Sequence, residues 1–121
     1  MSINNEWPAT FRELATATIN IASSTTVSSS VDLAETSLLA FVAPAAWTTS
    51  TLKLQGSNDN VTFFDLYDAY GGAVGSLASV TAGAGYAVDV VAMLPWRYVR
   101  FVAGTAQGAN RTFTLITRQI Q

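Results

Sequence analysis

Apolar and polar residues alternate with a period of two along most of this chain. Segments with this pattern recur at roughly ten-residue intervals, separated by Gly, Pro, Asn, Asp and Ser residues. No segment keeps the apolar period of a helix over about twelve residues. The pattern predicts an all-β protein in which about eight short strands form one antiparallel β-sandwich.

The clearest strand patterns lie in the middle and at the end of the chain. Residues 37–42 are apolar on both faces, as in a central strand buried on both sides. Residues 96–102 and 111–117 are rich in β-branched and aromatic side chains, whereas residues 86–91 alternate only weakly. We expect Phe113 and Leu115 to share one face of the last strand.

A β-hairpin is predicted at residues 52–68. Residues 52–55 alternate, a turn of Gly, Ser, Asn and Asp follows at 56–60, and residues 61–67 run out as a second strand. These turn residues tolerate left-handed backbone angles. We expect the aromatic side chains of the second strand to pack in the core.

Residues 1–13 differ from the rest because aromatic and charged residues mix there without strand alternation. We therefore divide the chain into an N-terminal arm, 1–13, and a sandwich domain, 14–121. The arm either docks on a neighbouring molecule through Trp7 and Phe11 or folds back onto its own domain. The sequence favours neither alternative.

The composition favours association. Hydrophobic residues make up 50% of the chain and charged residues 12%, against a usual charged share of about a quarter. A monomer of this kind exposes an unusually apolar surface, so we expect part of it to be buried against other copies or another protein. The alternative is a soluble monomer coated with Thr, Ser and Asn.

The residues that the chain lacks disfavour several functions. Without His or Cys, the commonest general base, the commonest zinc ligand and any disulfide are missing. The six basic residues are scattered, whereas nucleic-acid binders carry a basic stripe. The longest apolar run, 38–47, contains a proline and is shorter than the about 20 residues of a membrane helix. We expect a non-enzymatic protein without metal, cofactor, nucleic acid or membrane as a partner. The N-terminus lacks the positive charge and apolar core of a signal peptide, and the absence of Cys fits a protein made in a reducing cytoplasm.

Acidic and amide side chains gather at the predicted hairpin. Residues 58–60, Asp65 and Asp68 offer the oxygen ligands that calcium prefers, but such side chains more often bond their own backbone in turns. Asp65 and Asp89 are the only acids within the predicted strands, and glycoside hydrolysis uses paired carboxylates. Nothing in the sequence brings the two together, so we favour structural roles for all of these residues.

Arg97 and Arg100 lie three positions apart in one predicted strand. Side chains at this spacing point to opposite faces. One arginine is therefore expected to face inward or across an interface, where it needs an acidic partner. Asp65 and Asp89 are the candidates.

Exposed aromatic rings would offer a stacking platform for sugars. The candidates are Trp47, Tyr67, Tyr70, Tyr86, Trp96 and Tyr98. In a small sandwich most such rings belong to the core or to an interface, and Trp96 is expected to pack inside at the start of its strand. Tyr70, beside two glycines, is the best candidate for an exposed contact.

A series of short motifs runs in order between residues 36 and 118. The motifs are Pro44-Ala45-Ala46-Trp47-Thr48, Leu52-Lys53-Leu54-Gln55-Gly56-Ser57, Asp59, Val61-Thr62-Phe63, Asp65-Leu66-Tyr67-Asp68, Gly71-Gly72, Trp96-Arg97-Tyr98-Val99-Arg100, Gly104-Thr105, Gln107 and Arg111-Thr112-Phe113-Thr114-Leu115. In order and spacing they resemble small β-sandwich structural proteins of tailed bacteriophage virions. Residues 1–35 lie outside the resemblance.

The resemblance implies a jelly-roll-like sandwich assembled into a virion, as a capsid decoration or a head- or tail-associated fibre component. Gly56, Asp59, Trp96 and Gly104 would serve the fold, and the family has no catalytic residues. The implied partners are other copies of the chain, with a trimer favoured, and virion proteins such as the major capsid protein.

We therefore predict a non-enzymatic virion structural protein, assembled in the host cytoplasm, with Trp7, Phe11 and Tyr70 as its partner-binding residues. Similar sandwiches also occur as carbohydrate-binding modules. The alternative is accordingly a tail or fibre module that contacts a host glycan through Tyr70, Trp47 and the turn at 58–60.

Overall fold

The computed structural model describes residues 14–119, which form two antiparallel sheets packed face to face. The strands are β1 (Leu14–Ile21), β2 (Val31–Asp32), β3 (Thr36–Val42), β4 (Ser50–Ser57), β5 (Phe64–Asp65), β6 (Ser76–Val80), β7 (Gly85–Ala87), β8 (Tyr98–Ala103) and β9 (Arg111–Gln119). A short helix, α1 (Val90–Met93), lies between β7 and β8. The predicted all-β sandwich is confirmed.

The strand order is that of a jelly roll. The first sheet has the order β1-β9-β3-β7, and the second has the order β2-β8-β4-β5, with β6 also paired to β4. Because β5 and β6 follow one another along the same edge of β4, the strands fill eight positions. Nearly every connection crosses from one sheet to the other, which wraps the chain around a single core.

Four aromatic rings form the centre of that core and join the sheets. Phe41, Phe101 and Phe113 are fully buried, and Trp47 is 4% exposed. The centroid of the Phe113 ring lies 5.0 Å from that of Trp47, 5.1 Å from that of Phe101 and 5.9 Å from that of Phe41, each edge to face. Leu115 is also fully buried, so the prediction that Phe113 and Leu115 share one face is confirmed.

A buried glutamine ties two loops together. Gln107, between β8 and β9, is 2% exposed. Its Oε1 accepts a hydrogen bond from the Thr48 amide at 2.9 Å, and its Nε2 donates to the Thr48 carbonyl at 3.1 Å. Because Thr48 follows Trp47 in the β3–β4 loop, these bonds fix the backbone that carries the buried indole. The sequence motif contained Gln107 but gave it no role.

The chain leaves the first sheet after β7, where the weak alternation predicted a strand up to residue 91. It forms α1 instead, and the Asp89 side chain caps the helix by accepting a hydrogen bond from the Ala92 amide at 3.2 Å. Met93, at the end of α1, is 2% exposed. The short helix therefore supplies one apolar side chain to the core, and Asp89 is a capping residue rather than a strand carboxylate.

The predicted hairpin is shorter than its sequence pattern. Its second strand is only β5, because the turn that precedes it extends to residue 62. The interpretation of its aromatic side chains as core is wrong: Phe64 is 50% exposed and Tyr67 is 61% exposed. Leu66, at 5% exposed, supplies the buried side chain of this segment.

The predicted division between arm and domain lies at the limit of the described residues. β1 begins at Leu14, and the arm, 1–13, lies outside the described residues, so the division stays a prediction. Between residues 14 and 119, no helix is long and apolar enough to cross a membrane.

Candidate docking surfaces

Trp96 and Phe64 form an aromatic pair at one end of the sandwich. The pair exists because position 56 has no side chain: a Cβ on Gly56 would lie 2.5 Å from Trp96 Cγ. The indole thus covers the end of β4, and its centroid lies 5.8 Å from that of the Phe64 ring. Since Trp96 is only partly buried, it packs at the rim of the core rather than inside it.

Trp96 lines two grooves. The larger, about 570 Å³, is lined by residues that include Glu35, Asn58, Leu94 and Arg97. The smaller, about 320 Å³, is lined by Asn58, Asp59, Thr62, Phe64 and Trp96. Asn58 borders both, and its Oδ1 accepts a hydrogen bond from the Arg97 amide at 3.0 Å. The aromatic pair is therefore edged by amide, hydroxyl and carboxylate groups.

Asp59 holds the turn between β4 and β5. Its Oδ1 accepts hydrogen bonds from the amides of Thr62 and Val61, each at 2.9 Å, and from the Ser57 hydroxyl at 2.9 Å. These bonds, that from Thr62 first, lower the pKa of Asp59 below its ordinary value of 3.8. The preferred interpretation of this acid as a turn residue is confirmed. Within residues 14–119 no three acidic side chains gather in a way that would hold a metal ion.

Tyr70 lies at the tip of the loop between β5 and β6 and is 97% exposed. Asp68 Oδ1 accepts hydrogen bonds from the Tyr70 amide at 2.8 Å and the Gly72 amide at 2.9 Å. Gly71 has a φ of +84°, a left-handed angle that favours glycine. The expected exposure of Tyr70 is observed, but Tyr70 lines neither groove beside Trp96, and its binding role stays a prediction.

A row of polar side chains crosses the outer face of the second sheet. Strand register places Arg100, Gln55 and Asp65 side by side on β8, β4 and β5. Arg100 Nε donates to Gln55 Oε1 at 2.8 Å, Gln55 Nε2 donates to Asp65 Oδ1 at 2.8 Å, and Lys53 Nζ lies 3.1 Å from Asp65 Oδ1. The bonds from Gln55 and Lys53 lower the pKa of Asp65. The guanidinium carbon of Arg100 lies 4.2 Å from the centroid of the half-buried Phe63 ring, a cation–π contact.

The arginine partners expected from the sequence are wrong. Arg97 pairs with Asp32 through hydrogen bonds of 3.0 and 3.1 Å, which lower the pKa of Asp32, and Arg100 bonds a glutamine. Asp65 pairs instead with a lysine, and Asp89 caps α1. Arg97 and Asp32 meet because β2 pairs with β8 in a register that sets Asp32 opposite Tyr98, and local sequence gives no sign of this distant pairing.

The outer face of the first sheet carries almost no charge. Strand register forms one row from Thr16, Ile116, Ala40 and Ala87, and a second row from Thr18, Thr114, Val42 and Gly85. Alternate residues of the same strands, such as Ile19 and Phe113, are buried, so both rows face outward. Arg118, beside the start of β1, is the only charged side chain on this face within residues 14–119. We call the two rows the neutral face.

The remaining aromatic residues do not form a platform. Trp47 is buried, and its indole nitrogen donates to the Val80 carbonyl at 3.0 Å. The Tyr86 ring stacks on Phe41 with centroids 5.4 Å apart. The glycan hypothesis therefore loses Trp47 as a contact and keeps Tyr70 and the turn at 58–60, to which the structure adds Trp96 and Phe64. Sequence reasoning assigned Phe64 to the core because it took residues 61–67 as one regular strand.

Trp7 and Phe11, the other two predicted partner-binding residues, lie outside the described residues. Their docking role stays a prediction. The position of Leu14, the first described residue, is defined. Leu14 pairs with Arg118 of β9, and β3, on the other side of β9, begins at Thr36, which lines the larger groove beside Trp96. β1 therefore begins at the same end of the sandwich as the aromatic pair.

Comparison with known proteins identifies the fold class. No family model matches the chain, and no curated protein sequence matches it. Among solved structures, the crystal structure of the SPBc2 prophage-derived protein YomS is similar with a TM-score of 0.58 and 12% sequence identity, over 87% of this chain and 93% of that one. The chain is thus similar over nearly its whole length to a prophage-derived protein, and at this identity the likeness shows the shared sandwich fold.

Proposed function

We propose that the protein is a non-enzymatic structural component of a bacteriophage virion, a capsid decoration or head-associated protein that self-associates and docks on the virion. The neutral face is the observation that carries this proposal. Its two rows cross all four strands of the first sheet and contain Thr, Ala, Val, Ile and Gly. An uncharged, rigid sheet face loses little solvation free energy when another protein covers it.

The size of the neutral face limits what it does alone. Four strands at a spacing of about 4.8 Å, with two rows that each occupy about 6.8 Å along the strands, give a face of roughly 250 Å². A standard stable interface needs roughly 800 Å² from each partner. The neutral face therefore contributes about a third of the area that one partner supplies to a stable contact. The proposal requires further surface, for which the arm with Trp7 and Phe11 is our candidate.

The assignment to a phage particle draws on three further points. The motifs between residues 36 and 118 resemble virion sandwich proteins, and the similar solved structure is that of a prophage-derived protein. The jelly-roll order of the strands is also common among viral capsid domains. Together they favour a virion protein over other proteins with a neutral sheet face.

The proposal is tested on purified particles. Phage particles that encode this chain are banded on a density gradient, stripped of loosely bound protein with high salt, and quantified by mass spectrometry. We expect the chain at many copies per particle, in a fixed ratio to the major capsid protein. Particles that lack the chain, in a lysate that contains it, would overturn the proposal.

The contribution of the arm is tested by deleting residues 1–12. We expect the truncated domain to fold, because β1 and the core begin after the deletion, and to be lost from the banded particles. Circular dichroism confirms folding before the particles are compared. Normal incorporation of the truncated chain would remove Trp7 and Phe11 from the docking surface and leave the virion assignment intact.

The second candidate function is binding of a host glycan, which the exposed aromatic pair supports. Phe64 is 50% exposed, and the grooves beside Trp96 combine aromatic walls with amide and carboxylate groups, a combination suited to sugars. A glycan array with the wild type, Tyr70→Ala and Phe64→Ala tests it, with the exposed Val91→Ala as control. Specific binding lost in either aromatic variant would favour a module that contacts the host over a purely structural protein.

A further inference from the structure

β1 has the longest free strand edge among the described residues. It has eight residues and pairs with β9 in unbroken register from Leu14 to Ile21. The other outer strands are short or irregular: β7 has three residues, β2 and β5 have two each, and β6 has five and pairs with β4 through a register shift. A continuous ladder with a further strand is therefore available mainly along β1.

The hydrogen-bonding groups of this edge are identified by a contact at its far end. The Ser29 amide donates to the Asn20 carbonyl at 3.0 Å, so Asn20 directs its backbone groups away from β9. Backbone direction alternates along a strand, and Thr16 and Thr18 must therefore direct their N–H and C=O groups to the same open side. None of the residues described here forms a hydrogen bond with these groups.

β1 also lacks the features that protect free edges. Natural sheets block unwanted pairing with charged residues, proline, bulges or very short edge strands. The sequence of β1, Leu-Ala-Thr-Ala-Thr-Ile-Asn-Ile, contains no charge and no proline, and its register with β9 has no bulge. An edge of this length and regularity in a native protein indicates that another strand covers it.

Resting on the self-association proposed above, we infer that the β1 edge pairs antiparallel with β1 of a second copy. A two-fold contact sets identical strands against each other, so any net charge on β1 would repel itself, and β1 has none. Leu14 begins the strand and the Asn20 carbonyl is already bonded, so the pairing we infer uses the open groups of Thr16 and Thr18. It sets Thr16 opposite the second copy's Thr18, with Ala17 at the two-fold axis. The first sheet then continues across the dimer, and two neutral faces join into a surface of roughly 500 Å². The symmetry predicts a dimer, or an assembly of dimers, in place of the trimer favoured by the resemblance.

Thr18→Pro in the full chain tests the pairing. Proline removes the Thr18 N–H, which points away from β9, and is tolerated on edge strands in that orientation. The two-fold contact loses two backbone hydrogen bonds, so we expect the dimer dissociation constant to rise about 30-fold. Sedimentation or light scattering then shows a shift from twice 12.8 kDa toward 12.8 kDa. Thr18→Ala, which keeps the N–H, is the matched control and should remain dimeric.

A second variant separates the edge from the face. Thr114→Lys places a charge at the centre of the neutral face, on an inner strand. If Thr114→Lys dissociates the multimer and Thr18→Pro does not, the inference about the edge is overturned while self-association stands. A wild-type chain that is monomeric at all concentrations overturns both, and incorporation into virions is then tested separately as described above.

Amide hydrogen exchange measured by NMR provides an independent check on the edge. We expect the Thr16 and Thr18 amides to be protected only when the concentration favours the dimer, whereas Ala17 and Ile19, bonded to β9, stay protected throughout. Protection of Thr16 and Thr18 that does not depend on concentration would mean that a segment of the same chain covers the edge. That result would overturn the inference.

Discussion

Gly56→Ala is the substitution that tests the architecture of the aromatic end most sharply. The added Cβ would lie 2.5 Å from Trp96 Cγ, 2.7 Å from Cδ2 and 2.9 Å from Cβ. Ordinary contacts of a Cβ are 3.4 Å or longer, so the indole must move by about 1 Å, away from the rim of the core that it covers. Position 56 lies within β4, where the backbone has little freedom to yield instead.

The expected cost follows from overpacking. Extra methyl groups that force side chains to shift in a packed site cost about 1 to 3 kcal/mol. For a domain of this size a loss of 1 kcal/mol lowers Tm by about 4 °C, so we expect a decrease in Tm of about 4 to 12 °C. Gly108→Ala is the matched control, because nothing lies within 4 Å of its added Cβ and its φ lies outside the left-handed region. It carries the same change in unfolded-chain entropy and should leave Tm unchanged or slightly raised.

The contact between position 56 and the indole is isolated by urea unfolding of Gly56→Ala and Gly108→Ala, each measured with Trp96 present and with Trp96→Ala. In the Trp96→Ala background the obstructing ring is gone, so Gly56→Ala should lose most of its cost, and the coupling free energy between the two positions should be about 1 to 3 kcal/mol. Equal stability of Gly56→Ala and Gly108→Ala would refute the packing of Trp96 on Gly56. If Gly56→Ala destabilises the Trp96→Ala protein as much as it destabilises the wild type, the loss of stability has its cause elsewhere in β4.

Four further substitutions probe the core, the exposed strand β5, the loops joined by Gln107 and the turn held by Asp59. Phe113→Ala should lower the free energy of unfolding by about 3 to 5 kcal/mol, because its ring is fully buried among three others. Phe64→Ala should lower it far less, because the Phe64 ring is half exposed. Equal losses of unfolding free energy in urea would contradict the exposure of β5. Gln107→Glu should lower the free energy of unfolding by about 1 to 3 kcal/mol, because the carboxylate cannot donate a hydrogen bond to the Thr48 carbonyl as Nε2 does. An unchanged free energy of unfolding in the same assay would show that water can bond the Thr48 carbonyl instead. The pKa of Asp59 is lowered in the folded state, so its contribution to stability is present above the ordinary pKa of 3.8 and is lost as pH falls through the lower, folded-state value. Asp59→Asn should therefore have a lower Tm than the wild type at pH 7, and this difference in Tm should shrink in acid. A difference in Tm that does not depend on pH would contradict the role of the charged form.

Much of the sandwich follows from local pattern. Residues 111–117 alternate strongly, and β9 with its buried Phe113 and Leu115 lies where that alternation predicts. The pattern fails where side-chain hydrogen bonds override it. Asp59 draws the amides of Val61 and Thr62 into a turn, which shortens the predicted strand to two residues, and Asp89 caps a helix where alternation is weak.

The candidate surfaces were less accessible to sequence reasoning, because they depend on strand register. The neutral face joins Thr16, Thr114 and Val42 from three strands that are distant in sequence. The low share of charged residues predicted an uncharged surface that another protein covers, but it did not predict which face of which sheet forms that surface. Similarly, the bond between Arg97 and Asp32 spans 65 residues, and only the pairing of β2 with β8 reveals it. Tyr70 was identifiable because adjacent glycines mark an exposed loop.

Self-association is the claim on which the proposed function and the role of β1 both depend. Size-exclusion chromatography with light scattering, performed on the full purified chain over a range of concentrations, measures it directly. We predict a stable species at an even multiple of 12.8 kDa that dissociates in Thr18→Pro and persists in Thr18→Ala. A single species of 12.8 kDa at every concentration would contradict the account.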